Sequence, residues 1–184
     1  MEDLRTQKTK KAIEQATIEL IELKGFSKVR LNEIAKRAVV NRNTIYLHYQ
    51  SKEDIVVSIL EHHFSFNKIL MVAGRLLKTK MSREELRESF YKLLEAMVRD
   101  IDLFRIVITD PNLNGYLTSV NSKIKELAYR SIDQDATNRT IIEYIVSGTF
   151  GVIVRWIIYA NESIDKIADE LTELTYANMK MLKR

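Results

Sequence analysis

The sequence of 184 residues contains no cysteine, one proline, five glycines and three histidines. Without cysteine there are no disulfide bonds, thiolate nucleophiles or cysteine-based zinc sites, and three histidines leave few ligands for another metal. The low proline and glycine content, with 46% hydrophobic residues, argues against a disordered chain. We therefore expect a folded, mostly helical protein with no metal and no cofactor.

Long uncharged apolar runs are also missing. No segment reaches the roughly 18 uncharged apolar residues that a membrane-spanning helix needs. The charged start MEDLRTQKTKK has no apolar signal core behind it. These two features predict a cytoplasmic protein.

Positive charge is concentrated at the start of the chain. Residues 1 to 52 hold eleven Lys and Arg against six Asp and Glu, a balance of +5, whereas the whole chain carries +4. A basic block joined to a near-neutral remainder is typical of a nucleic-acid contact surface. On charge alone, a solvated lysine-rich face is the alternative.

Apolar spacing in this basic block predicts three helices. The first covers residues 9 to 24 and ends at Gly25, which can act as a C-terminal cap. The second covers residues 32 to 38, and the third is capped by Asn41 and runs to residue 49. Two short helices joined by a short turn behind a longer one predict a helix-turn-helix. The apolar residues expected to share the buried face of the first helix are Ile13, Ala16, Leu20 and Leu23.

The third predicted helix has two chemically different faces. Ile45 and Tyr49 are four residues apart and, with Val40, can pack against the first two helices. The side chains expected to project the other way, or to lie on a flank, are Arg42, Asn43, Tyr46, Gln50, Thr44 and His48. Arg and Asn can bond to base edges, whereas Thr, Tyr, His and Lys can donate to phosphates. This face therefore predicts DNA binding.

The rest of the sequence predicts a helical body. A long amphipathic helix is expected from residue 52 to 80, with a kink near Gly74, and Ser82 with Glu85 forms a capping box that opens the next helix. Further helices are predicted over residues 103 to 109, 113 to 132, 136 to 160 and 163 to 181. The fold class is therefore all-α.

The last two predicted helices carry an interface signal. Apolar residues occupy nearly the whole circumference of residues 140 to 160, and the final helix has a narrow apolar seam. We expect both helices to pair with their copies in a homodimer, and a monomeric core is the alternative. The predicted interface residues are Ile141, Ile145, Gly148, Val152, Ile167, Leu171, Leu174 and Asn178.

The segment VRLNEIAKRAVVNRNTIYLHYQSKEDI, residues 29 to 55, resembles the DNA-binding signature of the tetracycline-repressor (TetR) family of bacterial transcription regulators. The resemblance implies a helix-turn-helix domain over residues 1 to 51 and an effector-binding and dimerisation domain over residues 52 to 184. It further implies that Arg42, Asn43 and Tyr46 face the major groove with Asn32 also near the bases. The positions implied to hold phosphates are Thr44, His48 and Lys52.

The resemblance also implies the partners and the mode of action. A homodimer would bind a palindromic double-stranded operator whose half-sites lie about 34 to 36 Å apart. A small-molecule effector in each body would tilt the helix that starts at Lys52 and release the operator, which is the behaviour of a repressor. The alternatives are an activator of the same family and a helical interaction module that does not bind DNA.

Two further expectations concern the body. Met97, Phe104, Phe150 and Trp156 are candidate walls of an effector pocket, because such pockets are mostly apolar. Apolar residues of this kind are more often plain core, which is the alternative for each. The sequence has no Gly-rich phosphate loop, His-Glu-x-x-His motif or nucleophile elbow, so we expect no catalytic residues and no enzyme activity.

Four positions in the helix-turn-helix domain, here called the head, depart from the family pattern. One is Asn41, which caps the third helix where Ser or Glu is common. Val39 stands where glycine is common in the turn, so this turn either avoids a positive φ or is strained. Arg30 replaces the Ser or Thr that usually caps the second helix. Tyr49 stands where phenylalanine is common, and its hydroxyl therefore needs a hydrogen-bonding partner.

Overall fold

The protein folds into two compact units, Met1–His63 and Phe64–Arg184. The computed structural model describes residues 4–63, 81–130, 136–159 and 161–182. All regular structure in these ranges is helical, which confirms the predicted fold class. The first unit includes the helix Lys52–His63, which the division drawn from the sequence assigns to the body.

The described part of the first unit contains a helix-turn-helix behind a longer helix. Its helices are α1 (Leu4–Lys24), α2 (Leu31–Arg37), α3 (Arg42–Tyr46) and α4 (Lys52–His63). A 3-10 turn, Phe26–Lys28, follows α1. α1 packs against α2 and α4, and α2 packs against α3. α3 is shorter than predicted because Leu47 and His48 form a turn at its end.

The core of this unit is built from the predicted apolar faces. Ile13 of α1 and Ile45 of α3 are both fully buried, and Tyr49 is 6% exposed. The prediction for α1 is wrong only at Leu23, which is 73% exposed because it lies at the edge of the apolar face in the last turn. The inward side of α3 is therefore fixed by core packing, which leaves its other side in solvent.

Local hydrogen bonds explain where these helices begin and end. Gly25 has a φ of +79° and ends α1, and its N–H donates to the carbonyl of Ile21 at 2.8 Å. The side chain of Asn41 accepts from the N–H of Asn43 at 2.9 Å and caps α3, as predicted. Ser51 caps α4 in the same way, because its hydroxyl accepts from the N–H of Asp54 at 3.1 Å.

The start of α2 lacks such a cap. The Arg30 side chain has no acceptor atom, so it cannot bond to the free N–H groups of the helix. The other half of a capping box is present, because the Glu33 carboxylate accepts from the Arg30 N–H at 3.0 Å. Glu33 also pairs with Lys24 at 2.6 Å, and this hydrogen bond lowers the pKa of the Glu33 carboxyl. α2 is therefore tied to the end of α1.

The turn between α2 and α3 is strained. Val39 has a φ of +56°, and it is the only non-glycine residue with a positive φ in the described ranges. This conformation places a branched side chain in the left-handed region, which disfavours L-residues by about 1–2 kcal/mol. The side chain is 90% exposed, so no packing offsets the strain.

Replacing Val39 with glycine should therefore stabilise the first unit. The strain energy that is relieved exceeds the entropic cost of ordering a glycine, so we expect the free energy of unfolding to rise by about 1 kcal/mol. The single tryptophan lies in the second unit, so its fluorescence does not report on the first unit. Hydrogen exchange of the amides in α1 to α4 is therefore the suitable measurement. Val39→Ala, which keeps a Cβ, should gain much less. A Val39→Gly variant with faster exchange would contradict the prediction.

The described part of the second unit is also helical. Its helices are α5 (Arg83–Val98), α6 (Ile101–Thr109), α7 (Asn114–Tyr129), α8 (Ala136–Tyr159) and α9 (Ile164–Met179), with a 3-10 turn at Pro111–Leu113. The predicted capping box opens α5, since the Ser82 hydroxyl accepts from Glu85 N–H at 3.2 Å. The expected continuation of the long helix from residue 64 to 80, and its kink at Gly74, lie outside the described residues.

α5 and α9 form the most extensive helix pair of this unit. Arg87 of α5 bonds to Asp165 at 2.9 Å and to Asp169 at 2.5 Å, both on α9. These two acceptors raise the pKa of the Arg87 guanidinium, and Arg83 pairs with Glu173 one turn further along. All these groups are substantially exposed, so apolar packing rather than charge holds the pair together.

α8 is a long and strongly apolar helix. Its segment Thr137–Tyr159 is long and apolar enough to cross a membrane, a test that core helices of soluble proteins also pass. α7 and α9 both pack against it, yet only 33% of its most apolar window is buried. α8 therefore retains apolar surface within the described part of the chain.

Candidate functional site

The outward side of α3 has the exposure that the sequence predicts. Arg42, Asn43 and Gln50 are exposed and Tyr46 is 46% exposed. Arg42 donates from Nη2 to the Tyr46 hydroxyl at 2.8 Å, and its guanidinium carbon lies 5.4 Å from the centre of the Tyr46 ring. The two side chains therefore hold each other on the solvent side of the helix. This arrangement presents the remaining guanidinium N–H groups outward.

The flanking positions lie closer to the core. Thr44 and His48 are half-buried, and the His48 ring contacts the edge of Tyr49 with ring centres 6.4 Å apart. Asn32 is exposed in the first turn of α2. Whether these side chains contact phosphates or bases stays a prediction.

Lys52 has partners within its own unit. Its ammonium donates to the carbonyl of Phe26 at 2.9 Å and lies 4.2 Å from the centre of the Phe26 ring. These contacts tie the start of α4 to the turn after α1. An ammonium has three donors, so Lys52 keeps capacity for a phosphate.

Sequence reasoning missed a polar cluster that forms around the buried carboxylate of Glu14. Glu14, which is 9% exposed, accepts from the Tyr49 hydroxyl at 2.9 Å and from the Ser58 hydroxyl at 2.8 Å. His62 Nδ1 lies 3.0 Å from the same carboxylate. We call Glu14, Tyr49, Ser58 and His62 the Glu14 cluster. It joins α1 and α4 to Tyr49, which follows the turn at the end of α3.

Two signals in the sequence point to this cluster. Tyr49 requires a partner for its hydroxyl, and Glu14 lies within the buried face of α1 between Ile13 and Thr17. A buried carboxylate requires donors because it loses its hydration. Neither signal identifies the other residue, because they are far apart in sequence.

Removing the Tyr49 hydroxyl should loosen this unit. Tyr49→Phe takes one donor from a buried carboxylate that keeps Ser58 and His62, so we expect a loss of about 1–2 kcal/mol of stability. The measurement is again hydrogen exchange of α1 to α4. Tyr46→Phe is the matched control, since its exposed hydroxyl should contribute almost nothing. Equal effects of the two variants would contradict the role of the Glu14 cluster.

The second unit contains a small, partly open apolar cavity lined by α5, α6, α7 and α8. Its volume is about 70 Å³. The lining residues are Leu93, Met97, Phe104, Val107, Ile108, Tyr116, Leu117, Val120, Ile124, Phe150, Ile153, Val154 and Ile157. Tyr116 is the one polar side chain among them. Three of the four predicted pocket residues, Met97, Phe104 and Phe150, are part of this lining.

Trp156, the fourth predicted pocket residue, lies outside the lining. It is 3% exposed, and its indole N–H donates to the carbonyl of Glu162 at 3.0 Å. A buried indole needs an acceptor, and the α8–α9 connection supplies one. Arg155 beside it pairs with the Glu162 carboxylate at 2.9 Å. Both residues therefore hold α8 against the start of α9.

Polar contacts on two sides brace the helices that line the cavity. Arg105 of α6 donates from Nε to the carbonyl of Ile157 on α8 at 3.0 Å. Lys125 of α7 pairs with Glu143 of α8 at 2.5 Å, and the Tyr129 hydroxyl donates to the same carboxylate. Burial and the bond to Glu143 raise the pKa of Tyr129 to about 12. The hydrogen bonds from Lys125 and Tyr129 lower the pKa of Glu143.

A shallow groove runs between α8 and α9. The α8–α9 groove is lined by Tyr144, Ile145, Gly148, Thr149, Val152, Leu171, Leu174, Thr175 and Asn178. Tyr144 is 64% and Leu174 is 53% exposed. A Cβ added at Gly148 would meet no atom within 4 Å, so nothing in the described chain requires glycine at this position. The free space above Gly148 would allow another helix to approach closely.

The predicted interface residues divide into two groups in the structure. Six of the eight line the groove: Ile145, Gly148, Val152, Leu171, Leu174 and Asn178. Ile141 is 8% exposed and lies outside the groove lining. Ile167 is fully buried inside its own chain, because the seam of α9 also packs on α5, so it has no surface to offer a partner.

These features define a class of protein, a helix-turn-helix head followed by a helical body with a cavity. The family described as "Bacterial regulatory proteins, tetR family" matches residues 13–59. The match runs from within α1 into α4 and includes all of α2 and α3. The DNA-binding region of the chain therefore matches this family, as the resemblance of residues 29 to 55 predicts.

Similar proteins agree with this assignment. The chain is 26% identical over 140 residues to the HTH-type transcriptional regulator YerO of Bacillus subtilis (73% of this chain, 46% of YerO). It is 22% identical over 118 residues to the HTH-type transcriptional activator FasR of Mycolicibacterium smegmatis (61% of this chain, 53% of FasR). The aligned region thus spans about half the length of these curated relatives.

The fold of the whole chain also has a counterpart among solved structures. FadR of Thermus thermophilus, a TetR-family transcriptional repressor in complex with lauroyl-CoA, superposes with a TM-score of 0.61. The two chains are 22% identical, and the match covers 95% of this chain and 96% of FadR. The likeness therefore extends from the head through the body.

Proposed function

We propose that this protein is a homodimeric transcriptional repressor that binds a palindromic double-stranded operator and is released from it by a small-molecule effector. The observation that carries the proposal is the outward side of α3. Arg42, Asn43 and Tyr46 are exposed there, while Ile45 on the inward side is fully buried. The basic charge of residues 1 to 52 supports a polyanionic partner.

The body supports the other two parts of the proposal. The α8–α9 groove supplies an apolar surface for a second copy of the chain, which a palindromic operator requires. The apolar cavity favours an effector with an aliphatic chain. At about 70 Å³ it is far smaller than the roughly 300–1,000 Å³ of ligand pockets, so an effector must separate the surrounding helices. Ligand and DNA are then coupled, typically by about 1–3 kcal/mol.

Activation of transcription is the second candidate function. The relative FasR is named an activator, and the binding chemistry of the head is the same for both outcomes. A reporter gene placed behind the selected operator distinguishes them by the sign of the change. In either case the protein acts where the bacterial chromosome is, in the cytoplasm, and by binding rather than by catalysis.

Selection of bound duplexes from a random DNA pool tests the proposal directly. The purified protein should enrich one palindromic sequence, and its affinity should fall steeply with salt because Lys and Arg displace counterions. Enrichment of no sequence would reject DNA recognition and favour an interaction module.

The effector is tested on the selected operator. Lauroyl-CoA is a suitable first probe because FadR of Thermus thermophilus holds it, and free coenzyme A is the control without an aliphatic chain. Release by the first and not by the second supports an aliphatic effector. A compound that binds tightly yet leaves operator affinity unchanged is not the effector.

A further inference from the structure

Leu47 is an exposed aliphatic side chain beside the proposed DNA contacts. It is 79% exposed, whereas Ile45 two residues earlier is fully buried. α3 ends at Tyr46, but Leu47 keeps helical backbone angles, with φ −70° and ψ −19°. Its N–H donates to the carbonyl of Asn43 at 3.2 Å, one helical turn back. The side chains of Asn43 and Leu47 therefore lie on the same face.

Arg42 and Tyr46 share a helix face in the same way as Asn43 and Leu47. Arg42 and Tyr46 are also one turn apart, and the hydrogen bond between their side chains confirms that they meet on the surface. We call the four side chains Arg42, Asn43, Tyr46 and Leu47 the outer face of α3. Three of them offer hydrogen bonds, and the fourth offers only aliphatic surface.

Leu47 contributes little to the stability of its own unit. A leucine stabilises a fold by removing its side chain from water, and most of this side chain stays in water. Its apolar surface is therefore available to a partner that meets the outer face of α3. The net positive charge of residues 1 to 52 favours nucleic acid as that partner over a protein surface.

We propose that Leu47 reads a thymine of the operator through contact of its side chain with the C5-methyl group of the base. This inference rests on the proposed function. In the major groove, the thymine methyl is the apolar feature of the base edges, which otherwise present donors and acceptors. Phosphates are charged and offer an aliphatic side chain no apolar contact. Leu47 is thus a specificity-determining residue for thymine.

The experiment replaces thymine by deoxyuridine in the operator selected from the random pool. Deoxyuridine pairs as thymine does and lacks only the C5-methyl group. Each thymine is replaced in turn, at equivalent positions of both half-sites, and affinity is measured at one fixed salt concentration. At one position we expect the operator affinity to fall about fourfold for each methyl group that is removed from contact with Leu47. This is the fold-change that corresponds to burial of one such group.

Leu47→Ala tests which residue makes the contact. This variant should bind the thymine operator more weakly and should no longer distinguish it from the deoxyuridine operator. Leu23→Ala is the matched control, because Leu23 is a similarly exposed leucine, 73%, on α1. It should keep the full discrimination. The wild-type comparison of the two operators requires no variant, so it does not depend on how Leu47→Ala folds.

The outcomes separate this inference from the function on which it rests. The inference is overturned if wild type binds the thymine and deoxyuridine operators equally at every position. It is also overturned if the operator contains no thymine, or if Leu47→Ala keeps the discrimination. In each of these cases sequence-specific DNA binding stands. If wild type selects no duplex at all, the proposed function fails, and this inference fails with it.

Discussion

Leu174→Glu should convert the protein to a monomer and lower its operator affinity at least about a hundredfold. Leu174 is 53% exposed and lines the α8–α9 groove. In a twofold symmetric dimer each substitution occurs twice, and each places a carboxylate against apolar surface, at a penalty of several kcal/mol. A monomer holds only one half-site, so it loses the high effective concentration of the second head.

Sedimentation equilibrium and operator titration of the same samples measure the two effects. Val98→Glu is the matched control, since Val98 is 40% exposed on α5 and outside the groove. It should remain dimeric with unchanged affinity. Because Leu174 is half-exposed, the variant should keep its helical circular dichroism. A dimeric Leu174→Glu protein with wild-type affinity would show that the groove is not the interface.

Arg42→Ala should remove most of the preference for the operator over a scrambled duplex. One base contact contributes about 1–3 kcal/mol, so the two half-sites together lose about 2–6 kcal/mol. Binding to the scrambled duplex should fall much less, because a single charge per head is lost. The Tyr46 hydroxyl holds the guanidinium in place, so little rotamer entropy opposes the contact.

Arg42→Lys separates the contribution of charge from that of geometry. Lysine keeps the positive charge but cannot make the two-pronged bond to guanine. It should restore binding to the scrambled duplex and leave the operator preference lost. If Arg42→Ala weakens both duplexes equally, Arg42 contacts the backbone and another residue reads the base.

Local chemistry made much of the head predictable. The caps at Gly25, Asn41 and Ser51 depend on residues within four positions of one another, so the sequence shows them directly. The inward and outward sides of α3 follow from helical periodicity alone. The sequence does not decide whether Val39 is strained, because a branched residue disfavours but does not forbid a positive φ.

Contacts between distant residues could not be predicted in the same way. The hydroxyl of Tyr49 needs a hydrogen-bonding partner, but that partner, Glu14, lies 35 positions away in the sequence. Ser58, which also donates to Glu14, lies 44 positions from it. The resemblance implies a phosphate contact for Lys52, and the structure adds a hydrogen bond to the carbonyl of Phe26. For Trp156 the periodicity of α8 gives no direction, because that helix is apolar all round.

The sequence by itself determined the helical class, the helix-turn-helix and the side chains that α3 turns toward solvent, because spacing and capping act within a few residues. Only the tertiary structure decided which apolar residues line the cavity, which line the groove and which are buried in their own chain. Apolar burial is non-directional, so a leucine such as Leu174 and an isoleucine such as Ile167 look alike until the neighbouring helices are placed.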